Sequence, residues 1–222
     1  MADTDEKWAY SIDNDVDMVV EIARSETDIE EAMEFCGKMY VSSYGTRWAV
    51  APDVLFVARQ NGKVVGTGGL EIGGHHSHIG AEKYFCLSPR MIDFISSNRQ
   101  NIAEFGRFSS SHRKAGQVIF CSAIDYLEKN RFTYLFAWAN PSIYSHVASR
   151  IGVPFWVVDV PINKESVYND SDWIKPPVGF FIREDPPKLL ISILPFWDFV
   201  KVGLQHKTRY IVRNNELPLA VV

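Results

Sequence analysis

The segment from Ile102 to Val160 constrains the fold more than any other part of the chain. Ile102 to Ser109 reads as a strand and His112 to Gln117 as a basic turn containing glycine. Val118 to Lys129 follows as a helix, because Val118, Ile119, Cys121, Ala123, Ile124 and Leu127 recur at helical spacing. Thr133 to Ala139 is apolar without alternation, the pattern of a centre strand covered on both faces. Asn140-Pro141-Ser142 caps a second helix, with proline in its first turn. That helix ends at Gly152, and Pro154 to Val160 is the next strand. Strands alternating with helices in this way demand an α/β arrangement around a sheet.

The flanking segments extend the pattern. Met18 to Ala23 reads as a first strand. Thr27 then N-caps a helix, with Glu30 three residues on, and the helix runs to about Tyr40. The loop from Val41 to Pro52 carries Tyr44 and Trp48 as exposed aromatics beside Arg47. Asp53 to Arg59 and Val64 to Ile72 form a hairpin around an Asn-Gly turn. Gly73 to Arg99 holds a short helix near Pro89 to Ser96. Asn163 to Pro177 reads as a loop and Val178 to Arg183 as a last strand, while the tail from Lys188 carries no clear signal. A chain of 222 residues, 46 % of them hydrophobic, can bury roughly 70 % of its unfolded surface without a disulfide or metal. The expectation is one domain over residues 1–222, with a core at about 17–183 and an extension at 184–222.

Several classes are disfavoured. A net charge of −4 argues against nucleic-acid binding, which calls for a basic stripe. Cys36, Cys86 and Cys121 are odd in number, and no two stand at metal or redox spacing. The acidic start, Met1 to Glu6, has no apolar run behind it, so no signal peptide is expected. The apolar stretch Leu189 to Val202 is broken by Pro195, Asp198 and Lys201, so no stable membrane insertion is expected either. These features point to a cytoplasmic protein. His75-His76-Ser77-His78 lacks the helical spacing and acidic partner of a zinc site, so no metal is expected. The oligomeric state is left open.

Two places carry chemistry. A helix N-terminus presents unpaired N–H groups and a partial positive charge, and Arg113, Lys114 and Gly116 stand where one begins. This makes a phosphate-type anion site, with a basic surface turn as the alternative. On the preceding strand, Glu104 offers a carboxylate suited to general-base work, or would be a solvated carboxylate or an ion pair with Arg107. Residues three apart on a strand point to opposite faces, so Glu104 and Arg107 cooperate only if the strand is bulged, with Gly106 the expected place.

These residues carry a resemblance. Arg113-Lys114-Ala115-Gly116-Gln117-Val118 resembles the phosphate loop of the GNAT acyltransferase superfamily, Gln/Arg-x-x-Gly-x-Gly/Ala, departing at Val118. Glu104-Phe105-Gly106-Arg107-Phe108 resembles the Glu-x-x-Arg-Phe element of the acyl-homoserine-lactone (autoinducer) synthases. With the hairpin, the order of elements over Tyr40 to Val160 is similar to that branch and its thermostable-hemolysin and N-acyl amino acid synthase relatives. The resemblance implies a mixed, mostly antiparallel α/β sheet with a splayed central strand pair, flanked by helices. It implies transfer of an acyl group from acyl-CoA or acyl-carrier-protein phosphopantetheine to the amine of a small acceptor such as an amino acid. Glu104 and Arg107 would then act on the acceptor. Arg113, Lys114, Ala115, Gly116 and Gln117 would bind the donor phosphate, the N–H groups of Phe108, Ser109 and Ser110 the thioester carbonyl, and Asn140 the pantetheine arm. Asn140 also serves as a helix N-cap without any such role. The tyrosine that protonates the thiolate in many acetyltransferases is replaced by Ala148, counting back from Gly152, with Tyr144 one turn earlier. The autoinducer branch also lacks it, and a thiolate leaves without a dedicated acid. A carrier-protein partner would dock on Arg113, Lys114, Lys129 and Arg131. The other reading is a GNAT-like module that has lost catalysis and binds or senses a ligand.

Overall fold

The computed structural model describes residues 7–12, 16–143, 145 and 155–194. In chain order the elements are β1 (Lys7–Ile12), β2 (Val16–Ile22), α1 (Glu26–Tyr44), β3 (Val54–Gln60), β4 (Lys63–Ile72), α2 (Gly80–Tyr84), α3 (Pro89–Asn98), β5 (Ile102–Ser110), α4 (Arg113–Lys129), β6 (Tyr134–Ala139), β7 (Trp156–Val158), α5 (Lys164–Asn169), α6 (Val178–Phe181) and β8 (Lys188–Ile193). Short 3-10 turns, Gly73–His75 and Arg99–Asn101, flank the α2–α3 segment. This is the expected mixed α/β sheet flanked by helices, and every described strand register is antiparallel.

The chain forms two compact units, Met1–Glu71 with Phe105–Lys129 and Asp170–Gly179, and Ile72–Glu104 with Asn130–Asn169 and Phe180–Val222. In the first, β1 to β4 follow one another in hydrogen-bonded order, and the last part of β5 comes next. The β3–β4 turn has Asn61 at φ 51° and Gly62 at φ 74°, the two left-handed residues that a type I′ hairpin requires. Helix α1 buries Ala32, Cys36, Gly37 and Tyr40, and Ala32 packs with Ala23, Leu55 and Val57 of the sheet side. Its N-cap is Ser25, not Thr27: the Ser25 hydroxyl accepts the Asp28 N–H at 3.1 Å. The helix starts earlier than expected and runs on to Tyr44, where Gly45 closes it at φ 73°. Ser25→Ala is expected to lower stability by about 1 kcal/mol, read by thermal unfolding, while Thr27→Ala changes little.

In the second unit, β8 lies between β6 and β7 and is antiparallel to both, pairing Tyr134 with Ile193 and Trp156 with Ile191. Leu189, Leu190, Ile191 and Ser192 are all buried, as the centre position requires. Two expectations are corrected nearby. Val178–Phe181 is a helical turn, not a strand: Pro176 and Pro177 precede it and offer no ladder N–H, and Val178 N–H closes a turn on the Pro176 carbonyl. The segment expected as loop holds α5, whose Val167 N–H bonds the Asn163 carbonyl. Among the described residues no helix is long and apolar enough to cross a membrane.

Candidate functional site

Strand β5 carries Glu104, Arg107, Phe108, Ser109 and Ser110, and its backbone is not regular. Arg107 stands at φ 48°, in the left-handed region that costs a side chain-bearing residue roughly 1–2 kcal/mol. The irregularity is therefore at Arg107, and Gly106 has no positive φ and nothing within 4 Å of a Cβ built upon it. Gly106→Ala is accordingly expected to change stability by no more than about 0.5 kcal/mol, checked by denaturant titration. The bend survives because its carbonyl is satisfied off the ladder. Thr67 Oγ1 donates to the Arg107 oxygen at 3.0 Å, and the buried Cys36 Sγ donates to it at 3.6 Å. Burial pushes the Cys36 thiol above its ordinary value, against the pull of Ser109, Thr67 and Arg107, so it remains a protonated donor. Burial likewise pushes Cys121 up to about 11, so neither thiol acts as a nucleophile at neutral pH.

Within the first unit, the Arg107 guanidinium is 3 % exposed and ion-paired to Glu71 at 2.5 Å. Its Cζ lies over the Trp48 indole, 3.8 Å from the ring centroid, and Trp48 stacks on Trp173 at 3.7 Å. The Arg107 Nε–H is buried with no partner among the described residues. Trp48 was expected in solvent; its relative exposure is 6 %, because the cation and the second indole sandwich it. Glu71 and Trp173 were not anticipated. The available signal was Glu71 itself, a carboxylate in a strand of Val, Gly and Leu, which needs a charged partner if buried.

Within the second unit, Glu104 is 3 % exposed and held at both oxygens. Its Oε2 accepts the Ala81 N–H at 2.7 Å, and its Oε1 accepts the Trp138 Nε1–H at 3.0 Å. Gly80 makes room for this: a Cβ there would stand 2.2 Å from Glu104 Oε1. Helix α2 is itself fixed by Glu82, which accepts the Ile79 N–H at 2.9 Å and two Arg99 bonds at 2.8 and 2.6 Å. Burial works to raise the Glu82 carboxyl, but the Arg99 and Ile79 bonds outweigh it and hold it below its ordinary value. Trp138 packs against Tyr84, Phe180 and Phe181, so its indole has one orientation. Glu104 is thus no solvated strand carboxylate.

The anion-site residues open α4. The helix begins at Arg113, earlier than the basic turn predicted, because Arg, Lys, Ala and Gln all favour helix. Lys114 is exposed, Ala115 buried and Gln117 half-buried, while the Arg113 side chain lies outside the described part of the structure. A Cβ at Gly116 would stand 2.9 Å from Phe108 Cζ and 3.2 Å from Ser110 Oγ, so glycine lets the first turn lie close against β5. Val118, where the phosphate-loop pattern has Gly or Ala, is buried at 7 % exposure. Ser109 is buried, and Phe108 and Ser110 half-buried.

Asn140 follows β6 and does not cap with its side chain. Its Nδ2 donates to the Asp185 carbonyl at 3.2 Å, and its buried Oδ1 has no partner among the described residues. Only its backbone oxygen serves the turn, accepting the Ile143 N–H at 2.9 Å. Tyr144, Ala148 and Gly152 lie outside the described residues.

A family model described as thermostable hemolysin matches residues 22–173. No curated protein matches the chain. The fold is similar to that of FeeM, an N-acyl amino acid synthase from uncultured soil microbes, with a TM-score of 0.58 at 12 % identity over 87 % of this chain and 99 % of that one. It is also similar to the acyl-homoserine-lactone synthase LasI, at TM-score 0.52 and 11 % identity over 80 % of this chain and 90 % of the other. TofI in a ternary complex with an inhibitor and MTA gives TM-score 0.52 at 14 % identity, over 80 % and 91 %. At such identities the likeness is one of fold.

Proposed function

Because the chain belongs to the thermostable hemolysin family, with the fold shared by acyl-homoserine-lactone and N-acyl amino acid synthases, we propose that it is an N-acyltransferase. The donor is an acyl thioester of phosphopantetheine, carried by coenzyme A or an acyl carrier protein, and the acceptor is the amine of a small molecule such as an amino acid. The observation that carries this reading is the state of Glu104: a buried carboxylate fixed at both oxygens by the Ala81 and Trp138 N–H groups. A carboxylate held in one orientation is suited to positioning an ammonium group and taking its proton.

In this reading the amine nitrogen, once deprotonated through Glu104 directly or by way of a water, attacks the thioester carbonyl. The C–N bond forms, the oxyanion collapses, the C–S bond breaks, and the thiolate departs with the proton released by the amine. In this reading attack is direct, with Cys36 and Cys121 held protonated and no acyl-enzyme formed. N–H groups of Phe108 to Ser110 would stabilise the oxyanion. The start of α4, with Lys114 and the close-packed Gly116, would take the donor phosphate. Asn140 Oδ1 would accept an N–H of the pantetheine arm. Arg107, paired to Glu71, would set the geometry of the acceptor side or meet an acceptor carboxylate through its Nε–H, which has no partner among the described residues.

A thiol-release assay tests this, with acyl-CoA and acyl-carrier protein of several chain lengths against pooled amino acids. Release is expected only when donor and a particular amine are both present, and Glu104→Gln should lower it at least 100-fold. Glutamine has one acceptor oxygen for two buried donors, so the variant is compared at a temperature where it is verified to be folded. Stabilisation by a thioester without turnover would instead identify a ligand-binding module. That second reading has one observation in its favour, the low exposure of both Glu104 and Arg107.

A further inference from the structure

The geometry points to Trp138 as a positioning residue whose indole N–H sets the orientation and the proton affinity of Glu104. The inference rests on the acyltransferase reading for its consequence in catalysis, but its physical content stands apart from it. Trp138 Nε1 is 3.0 Å from Glu104 Oε1 and the Ala81 N–H is 2.7 Å from Oε2, so the two donors pin opposite oxygens. The indole cannot swing away, because Tyr84, Phe180 and Phe181 pack on it with ring centroids 5.4, 5.4 and 5.2 Å distant. The second donor is equally fixed, since Arg99 and Glu82 hold the start of α2. A tryptophan in a centre strand fills the core with its ring, and phenylalanine keeps an aromatic ring there in a smaller volume. What phenylalanine lacks is the N–H.

Hydrogen bonds to a carboxylate favour its charged form, so removing one raises its proton affinity. A base works only when unprotonated, and activity falls as pH drops through its pKa. Loss of the Trp138 N–H therefore moves the acid limb of the pH profile to higher pH. The ionisable groups on the elements that hold Glu104 are Glu82, Lys83 and Tyr84 of α2 and Tyr134 of β6. On its own strand the one other charged residue is Arg107. Arg99 pairs with Glu82 and helps hold its carboxyl below its ordinary value, and Arg107 is paired with Glu71.

Trp138→Phe is the test. The acid limb of kcat/KM is expected to move up by about one pH unit. At pH values below the wild-type limb, kcat should fall roughly tenfold with KM for the thioester unchanged. An unmoved limb in a folded Trp138→Phe protein overturns the inference, even if overall activity drops. A second measurement uses the wild-type chain alone and needs neither turnover nor a stable variant. The Trp138 indole N–H resonance, assigned through its contacts with Tyr84, is followed by NMR as pH is lowered. A step in that resonance supports the inference. Where turnover is found, the step should coincide with the acid limb. A resonance that stays flat until the protein unfolds overturns it. If no thioester turns over but the step is present, the acyltransferase reading fails while the control of Glu104 by Trp138 stands.

Discussion

Gly80→Ala is expected to destabilise the protein by about 3 kcal/mol and to leave it inactive. The added methyl would lie 2.2 Å from Glu104 Oε1 and 3.1 Å from Trp138 Nε1, well inside contact distance. Neither neighbour can yield, since Glu104 is 3 % exposed and Trp138 is wedged among Tyr84, Phe180 and Phe181. If the carboxylate is displaced, two buried donors lose their acceptor, each at about 1–3 kcal/mol. Alanine gains helix propensity over glycine at roughly 0.5–1 kcal/mol, which is too little to reverse the sign. Chemical denaturation reads the loss, and an unchanged midpoint would show that Glu104 is not seated as described. The drop in activity, measured where the variant is still folded, should match that of Glu104→Gln.

Glu71→Ala carries the other large effect, an expected loss of about 3–5 kcal/mol. It leaves the guanidinium of Arg107, 3 % exposed, without its counter-ion. The contact of the cation with Trp48 is present before and after the substitution, so it does not replace the lost counter-ion. Glu71→Gln keeps an acceptor and should cost less. The double variant Glu71→Ala/Arg107→Met should regain much of the loss, because a buried pair replaced by apolar groups is often neutral. Equal stability of Glu71→Ala and wild type would show that the pair is solvated. The same series tests the left-handed backbone, which the Glu71 pair and the Thr67 and Cys36 bonds hold in place.

The sequence made some of this plain. Asn61-Gly62 identified its hairpin because only a left-handed pair fits a two-residue turn. The unbroken apolar run before Asn140 marked β6 as a centre strand, and strand β5 and helix α4 appeared nearly in place. Other elements were hidden for physical reasons. In Leu189 to Ile193 the signature of a centre strand is present, but apolar residues continue past it and blur its end. Val178 to Phe181 has strand-like composition, and the two prolines before it decide against a strand. Helix α2 is five residues long, too short for periodicity to show. At the site, Glu104 and Arg107 could be picked out from their spacing on one strand, yet their partners could not. Ala81, Trp138, Glu71 and Trp48 are 23, 34, 36 and 59 residues away, or near it, and only tertiary pairing joins them.

The central claim is acyl transfer by direct attack of an amine on a thioester. It is tested most directly by mass spectrometry of a reaction holding the protein, one acyl thioester and the amine selected by thiol release. The account predicts an N-acyl amide formed one-for-one with free thiol, and an intact protein mass that never carries the acyl group. Thiol released without amide, or an acylated protein that accumulates and then decays, would contradict it.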